Sequence, residues 1–303
     1  MESKNYFSAF IMTYKRNSTL LETIKLLFDQ TLPPEKVLIV DNDPDQGAKI
    51  VLDTFPNQNI EYYSVGYNSG PAGASAIGLS LLAKQGYKWI AWIDDDDPPQ
   101  YKDVFQILLE TGNTSPDCGC VGMVGQYFDR KKGIIVRVND AEIKGKGALE
   151  VDIIAGGMMK IINSKVVIEK NILPDPSLFF SFEDLDFDLN LQNNGYKLLV
   201  NKELYYNARL KHNNIGIKKQ RGLKKDINVL WREYYALRNL FIIQTKNKLY
   251  RANFFTFFRM LYKIISGFKY GLSYGLKNSK NLSLAFFHFI INKRGLIDNL
   301  RRV

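Results

Sequence analysis

Short apolar runs alternate with amphipathic stretches through the first hundred residues. The segments YFSAFIMT, KVLIVD, IEYYSVG and KWIAWI have the length of strands, and their near-continuous hydrophobicity suits burial on both faces. Helical patterns lie between them: from Ser18, the expected N-cap, to about 30, from about 46 to 54, and onward from Pro71. Repeated strand and helix units predict an α/β fold with a mostly parallel central sheet flanked by helices. The pattern then predicts a helix from 101 to 110, a strand in CGCVGMVGQYF and a hairpin over 130–138. A polar, Gly-containing loop over 139–150 precedes a strand in IIAGGMMKII. An acid-bearing helix stopped by Gly195 and a further strand follow. From Leu223 the pattern is helical. The stretch 251–271 puts Phe257, Leu261, Ile264 and Phe268 on one face and Arg259, Lys263 and Ser266 on the other. A loop rich in Gly, Ser, Asn and Lys separates it from a last apolar segment, LSLAFFHFIINK.

Composition narrows the class. A chain of 303 residues with 46% hydrophobic and 24% charged residues buries a sizeable core without staples. Its two cysteines, Cys118 and Cys120, are too close for an ordinary bridge and too few for a zinc site, and read as small buried residues on one strand face. The net charge of +10 favours anionic partners. Twelve Lys or Arg against one acid follow position 245, so much of the surplus sits in the C-terminal fifth. The amino terminus lacks a signal-peptide h-region, and no stretch reaches about 18 uncharged apolar residues, so a cytoplasmic setting with membrane-surface contact is expected.

In parallel sheets ligands bind beyond the carboxyl ends of the strands. Thr13, Tyr14, Lys15 and Arg16 stand there after the first strand, Asp41 to Asp43 after the second and NSGPAGA after the third. The run Asp94, Asp95, Asp96 and Asp97 stands after the fourth. Adjacent carboxylates repel, and a hard divalent cation with a phosphate ligand would relieve that repulsion. A solvated acidic turn capping the next helix is the alternative. A second acid group, Glu183, Asp184 and Asp186, opens the later helix. One of its carboxylates could serve as a general base, or the group could be an exposed first turn.

The ordered set FIMTYKRN, VLIVDN, NSGPAGA, WIAWIDDDDPP, FFSFEDLDFDLNLQNNGYKL and YYALRNLF resembles family 2 glycosyltransferases of the Rossmann-like GT-A fold, over about residues 6–245. The resemblance implies a catalytic domain over 1–220 and a C-terminal helical extension over 221–303. It implies an Asp-x-Asp motif at Asp94 and Asp96 holding Mn2+ or Mg2+, with Asp95 toward the donor; Asp95 and Asp97 share the spacing. Thr13, Tyr14 and Asp41 would receive the base, with Arg16 beside them, although Asp41 could instead cap the next helix. Asn68, Gly70 and Gly73 would meet phosphate or sugar at a helix N-terminus, or form a turn without ligand. The family's following arginine is missing. His212 would complete the metal set and Asp184 would act as base. Glu183, Trp231 and Arg238 would face the acceptor, although Arg238 and Asn239 could equally contact phosphate or pack helices, and Trp231 could be core. His288 reads as packing without partners.

The implied activity is inverting, metal-dependent transfer of a sugar from a nucleotide sugar to a glycan hydroxyl. UDP-galactofuranose is the first donor and dTDP-rhamnose the second. The basic, aromatic C-terminal hairpin suggests a lipid-linked acceptor at an anionic membrane, with packing on the catalytic domain or on a second copy as the alternative. No nucleic-acid partner is expected. The competing classes are a sugar-phosphate nucleotidyltransferase, which TYKRN does not suit for want of a Gly-rich phosphate cradle, and a non-catalytic membrane- or nucleic-acid-binding protein.

Overall fold

The computed structural model describes residues 6–55, 57–155, 159–217, 224–297 and 300. Its centre is an eight-stranded sheet in the order β3-β2-β1-β4-β9-β5-β10-β8. These strands are β1 (Phe7–Thr13), β2 (Val37–Asp41), β3 (Ile60–Ser64), β4 (Trp89–Asp94), β5 (Cys118–Gly122), β8 (Ala148–Val151), β9 (Lys160–Asn163) and β10 (Lys197–Asn201). Six run one way, and β9 and β8 oppose them. The hairpin of β6 (Gln126–Asp129) and β7 (Ile134–Arg137) stands apart.

Strand side chains alternate between two buried layers, as expected for a sheet covered on both faces. Ala9, Ile11, Val37, Ile39, Ala91 and Ile93 pack with Leu20, Ile24 and Leu27 of α1 (Asn17–Phe28) and Phe105 and Leu108 of α4 (Val104–Asn113). Phe10, Leu38, Val40, Ile90 and Trp92 pack with Leu79 and Leu82 of α3 (Gly70–Lys84) and Phe187 of α6 (Glu183–Asn193). The helices α2 (Gly47–Asp53), α5 (Lys165–Lys170) and α7 (Lys202–Lys211) lie in the same α/β part. The C-terminal part is α8 (Trp231–Lys246), α9 (Tyr250–Gly267) and α10 (Leu272–Ile290). Ile242 and Ile243 of α8 share a core with Leu185 and Leu189 of α6, which ties these helices to the site.

Several expectations are corrected. Arg16, not Ser18, is the residue before α1, and Ser18 lies inside the helix. The helix α4 begins at Val104. The loop over 139–150 ends in β8, which pairs with β10, and the strand expected in IIAGGMMKII is β9, with 156–158 outside the described residues. The Gly, Ser, Asn and Lys segment after 271 is helical, within α10. Cys118 and Cys120 face opposite layers, because the register shifts there: Lys197 pairs with Cys118 and Leu198 with Cys120. Burial pushes the Cys118 thiol up to about 12 and raises that of Cys120, so both are inert fillers.

The helix α9 is turned relative to expectation. Arg259 donates to the carbonyls of Lys132 (2.7 Å) and Gly133 (3.0 Å), and Lys263 reaches Glu233 at 2.8 Å. Inward partners for both cations leave Phe254, Phe258, Tyr262 and Ile265 outside, each more than half exposed. His288 is buried and partnered, its Nδ1 2.6 Å from the Tyr234 hydroxyl. Among the described residues no helix is long and apolar enough to cross a membrane.

Candidate active site

Register brings the strand ends together. Thr13 pairs with Asp41, and Met12 with Asp94, so the loops after β1, β2 and β4 leave the sheet at one edge. There they wall a cleft of about 390 Å³ with Thr13, Tyr14, Arg16, Asn42, Asn68, Gly70, Asp94, Asp95 and Asp96 on the sheet side. Phe179, Phe180, Glu183, Trp231 and Arg232 stand opposite.

The aspartates differ in how they are held. Asp95 is buried and accepts hydrogen bonds from Thr13 Oγ1 (2.8 Å) and Arg16 Nη1 (3.1 Å), and its carbonyl accepts one from Thr23 Oγ1 (2.9 Å). Among the described residues, the Asp96 carboxylate meets Arg16 alone. The Asp94 carboxylate has no hydrogen-bond or ion-pair partner among the described residues; burial first, then Asp96, Asp95, Asp97 and Asp184, push it up to about 7. Asp97 is pushed up to about 6 by burial and Asp96. Across the cleft, burial and then Asp184 push Glu183 up to about 8, and its Oε2 is buried without a hydrogen-bond partner among the described residues. Asp184 accepts from the Leu185 backbone N–H (2.8 Å). Carboxylates from β4 and α6 thus share one under-compensated patch.

The segment before Glu183 is strained. Phe179, Ser181 and Phe182 all have positive φ (63°, 67° and 64°), a conformation that costs a non-glycine residue about 1–3 kcal/mol. The buried Asn239 amide holds it by donating to the carbonyls of Leu178 (3.0 Å), Phe180 (2.8 Å) and Ser181 (2.8 Å). Arg238 is fully buried and donates to Leu178 O and Gly295 O, both at 3.0 Å. Arg238 therefore braces the cleft from behind and does not face an acceptor, a correction that follows from its burial among carbonyls.

Other expected residues also change role. Asp41 is fully buried, and its oxygens accept from Asp43 N (2.8 Å), Ala48 N (3.3 Å) and Tyr62 Oη (3.0 Å). It ties the start of α2, and Asn42 takes its place on the cleft wall. The N-terminus of α3 is not open to phosphate, because the Phe179 carbonyl accepts from Ala72 N (3.3 Å). Gly70 makes that approach possible: at φ 71°, a Cβ there would lie 2.1 Å from the Phe179 oxygen. Asn68 Oδ1 accepts from Gly70 N (3.0 Å) and fixes the turn. Gly73 packs on Ser69 inside the helix start. His212 ends α7, exposed, with Nε2 3.1 Å from Gln100 Oε1 and beside Asp97. It does not join Asp94 and Asp96, and among the described residues no three acid, His or Cys side chains form a metal-binding group. Trp231 lines the mouth, its ring 5.0 Å from that of Phe180.

Sequence reasoning missed Arg232, whose guanidinium lies over the rings of Phe180 (5.7 Å) and Trp231 (5.5 Å). Arg16 and Arg232 are the cations among the described residues lining the cleft. The adjacent Trp231 was the one available signal.

Solved structures share this mostly parallel α/β fold, which is of GT-A type. Staphylococcus aureus TarS 1–349 in complex with UDP-GlcNAc is similar at TM-score 0.55 and 16% identity, over 95% of this chain and 81% of that one. The mannosyltransferase PcManGT from Pyrobaculum calidifontis, in complex with GDP-Man and Mn2+, has TM-score 0.53 and 12% identity, over 94% and 87%. The sequence profile of Glycosyl transferase family 2 matches residues 8–161, and the chain belongs to that family. The galactofuranosyltransferases GlfT1 of Mycolicibacterium smegmatis and Mycobacterium tuberculosis (H37Rv) are 22% and 24% identical to it over 62% of its length. The matches span 65% and 64% of those proteins.

Proposed function

We propose that this glycosyltransferase moves a sugar from a nucleoside diphosphate to a glycan hydroxyl with inversion of the anomeric centre. The observation that carries the reading is the single cleft in which Thr13, Tyr14 and Asn68 stand on one side and Glu183 on the other, with the aspartate run between. UDP-galactofuranose is the proposed donor, on the similarity to the GlfT1 proteins, and dTDP-rhamnose the second.

The donor set fits a hard divalent cation: among the described residues the Asp94 carboxylate and the buried Glu183 Oε2 have no partner, and the acids lining the cleft offer oxygen. Asp94 and Asp96 would hold Mn2+ or Mg2+, which when bound offsets the charge of the diphosphate. His212 is left out of that set. Asp184, with Glu183 beside it, takes the acceptor proton. The acceptor oxygen's lone pair forms the new bond to the anomeric carbon from the face opposite the diphosphate. The old carbon–oxygen bond breaks, and its electron pair leaves with the diphosphate. Arg16 and Arg232 face the charge that departs.

The acceptor is proposed to be lipid-linked, at the cytoplasmic face of an anionic membrane. Support comes from the outward Phe254, Phe258, Tyr262 and Ile265, flanked by exposed Lys248, Arg251 and Lys269. Flotation with acidic vesicles tests this: Phe258→Glu/Ile265→Glu should remain in the soluble fraction, and flotation equal to wild type contradicts it. For the activity, a panel of nucleotide sugars with a glycan acceptor should give turnover that Asp184→Asn lowers by about 10²-fold or more. Full turnover in Asp184→Asn would remove that residue as the base.

A further inference from the structure

Arg16 is anchored by its backbone and free at its tip. Its carbonyl accepts hydrogen bonds from Leu20 N (3.3 Å) and Thr19 Oγ1 (3.2 Å) at the start of α1, while its side chain is 50% exposed and reaches over the aspartate run. Nη1 lies 3.1 Å from Asp95 Oδ1 and also contacts Asp96 Oδ2. The two acids are held unequally. Asp95 is buried and fixed from other directions by Thr13 and Thr23, whereas Asp96 is 47% exposed and has Arg16 as its one side-chain partner among the described residues. Asp94 beside them has none. A cation drawn to Asp94 and Asp96 therefore meets one competitor, a long side chain that can swing aside.

We propose that Arg16 is the internal counter-cation of this rim, releasing Asp96 but keeping Asp95 when a divalent cation enters. The inference rests on the metal reading above and adds an exchange to it. In the donor-free protein the guanidinium limits repulsion among the acids. Once displaced from Asp96, it stays on Asp95 at the cleft wall. Because a solvent-exposed ion pair is weak, the competition lowers metal affinity by only about two- to fivefold. That is enough to keep the acids paired in the absence of ligand without excluding the metal.

The test is Mn2+ binding to nucleotide-free protein, followed by electron paramagnetic resonance of the free ion, for wild type, Arg16→Gln, Arg16→Lys and Asp94→Asn/Asp96→Asn. Arg16→Gln should bind Mn2+ about two- to fivefold more tightly than wild type. Arg16→Lys keeps the charge without the planar fork and should fall between them. Should Arg16→Gln fail to fold, tighter binding by Arg16→Lys alone supports the exchange, and unchanged or weaker binding overturns it. Equal or weaker binding in Arg16→Gln, with wild-type binding lost in the double variant, overturns the exchange and leaves the metal reading standing. Absence of any binding dependent on Asp94 and Asp96, in wild type and Arg16→Gln alike, overturns both.

Discussion

Lys160→Met removes the cation from a fully buried ion pair directly beneath the acids. Lys160 Nζ lies 2.5 Å from Asp188 Oδ1, both side chains are 0% exposed, and the other Asp188 oxygen accepts from Ile154 N at 2.8 Å. Methionine conserves the length and apolar character of the stem between the rings of Trp92 and Phe187, so the change isolates the charge. Breaking one partner of such a pair leaves a buried uncompensated carboxylate and costs about 3–5 kcal/mol. With about 2.1 cal/mol/K of unfolding entropy per residue over 303 residues, that amounts to a fall in Tm of about 5–8 °C. Lys160→Met/Asp188→Asn removes both charges while the amide oxygen still accepts from Ile154, and it should recover at least half of the loss. Differential scanning calorimetry of wild type, both single variants and the double variant measures the cycle. A Lys160→Met variant within about 1 kcal/mol of wild type, or a double variant no better than the single, would refute the assignment of a charged structural pair. The same cation counteracts the rise of Glu183, so the folded fraction of Lys160→Met should hold that carboxyl protonated to a higher pH.

Asp94 and Glu183 are pushed up to about 7 and about 8 from ordinary values of 3.8 and 4.5. The folded, ligand-free protein therefore holds protons that the unfolded chain has released between about pH 4 and 8, and stability falls as pH rises through that window. Melts in EDTA should show this fall in wild type and a flatter profile in Asp94→Asn/Glu183→Gln; identical slopes would count against the shifts. Gly70→Ala should destabilise by at least about 1–3 kcal/mol and weaken UDP binding, because its methyl meets the Phe179 carbonyl, and unchanged melting and UDP titration would argue otherwise. Asn239→Leu strips the donor from the Phe180 and Ser181 carbonyls, each costing about 1–3 kcal/mol if left unpaired, while Leu178 O keeps Arg238, and should lower kcat more than it lowers UDP affinity. Equal turnover would show that the 178–182 segment holds itself.

The half of the fold that carries the strand ends is legible because each strand is an apolar run buried on both faces and ends in polar residues. Thr13 and Asp95 are found this way and do meet, at 2.8 Å. What periodicity does not reveal is local register and long-range partnering. A shift at Cys118 sends two residues of one strand to opposite layers, and Asp41 spends its oxygens on Asp43, Ala48 and Tyr62, which no spacing foretells. The Gly, Ser, Asn and Lys composition after 271 reads as loop, yet burial of Tyr274, Leu282 and Ala285 makes it helix, packing overriding propensity. In α9 the amphipathic stripe is real but rotated: Ala252, Thr256, Met260 and Gly267 are buried, while Arg259 and Lys263 find acceptors on neighbouring elements. Arg232 enters the cleft only because α8 packs behind the strained Phe179 to Phe182 turn, a tertiary fact with no local trace.

The most direct measurement is the fate of the sugar: UDP-galactofuranose and a glycan acceptor incubated with wild type and with Asp94→Asn/Asp96→Asn, the product's anomeric configuration read by NMR. The account predicts a product inverted at the anomeric carbon, formed with wild type and reduced by orders of magnitude in the double variant. A product of retained configuration, or equal turnover without the two aspartates, would contradict it.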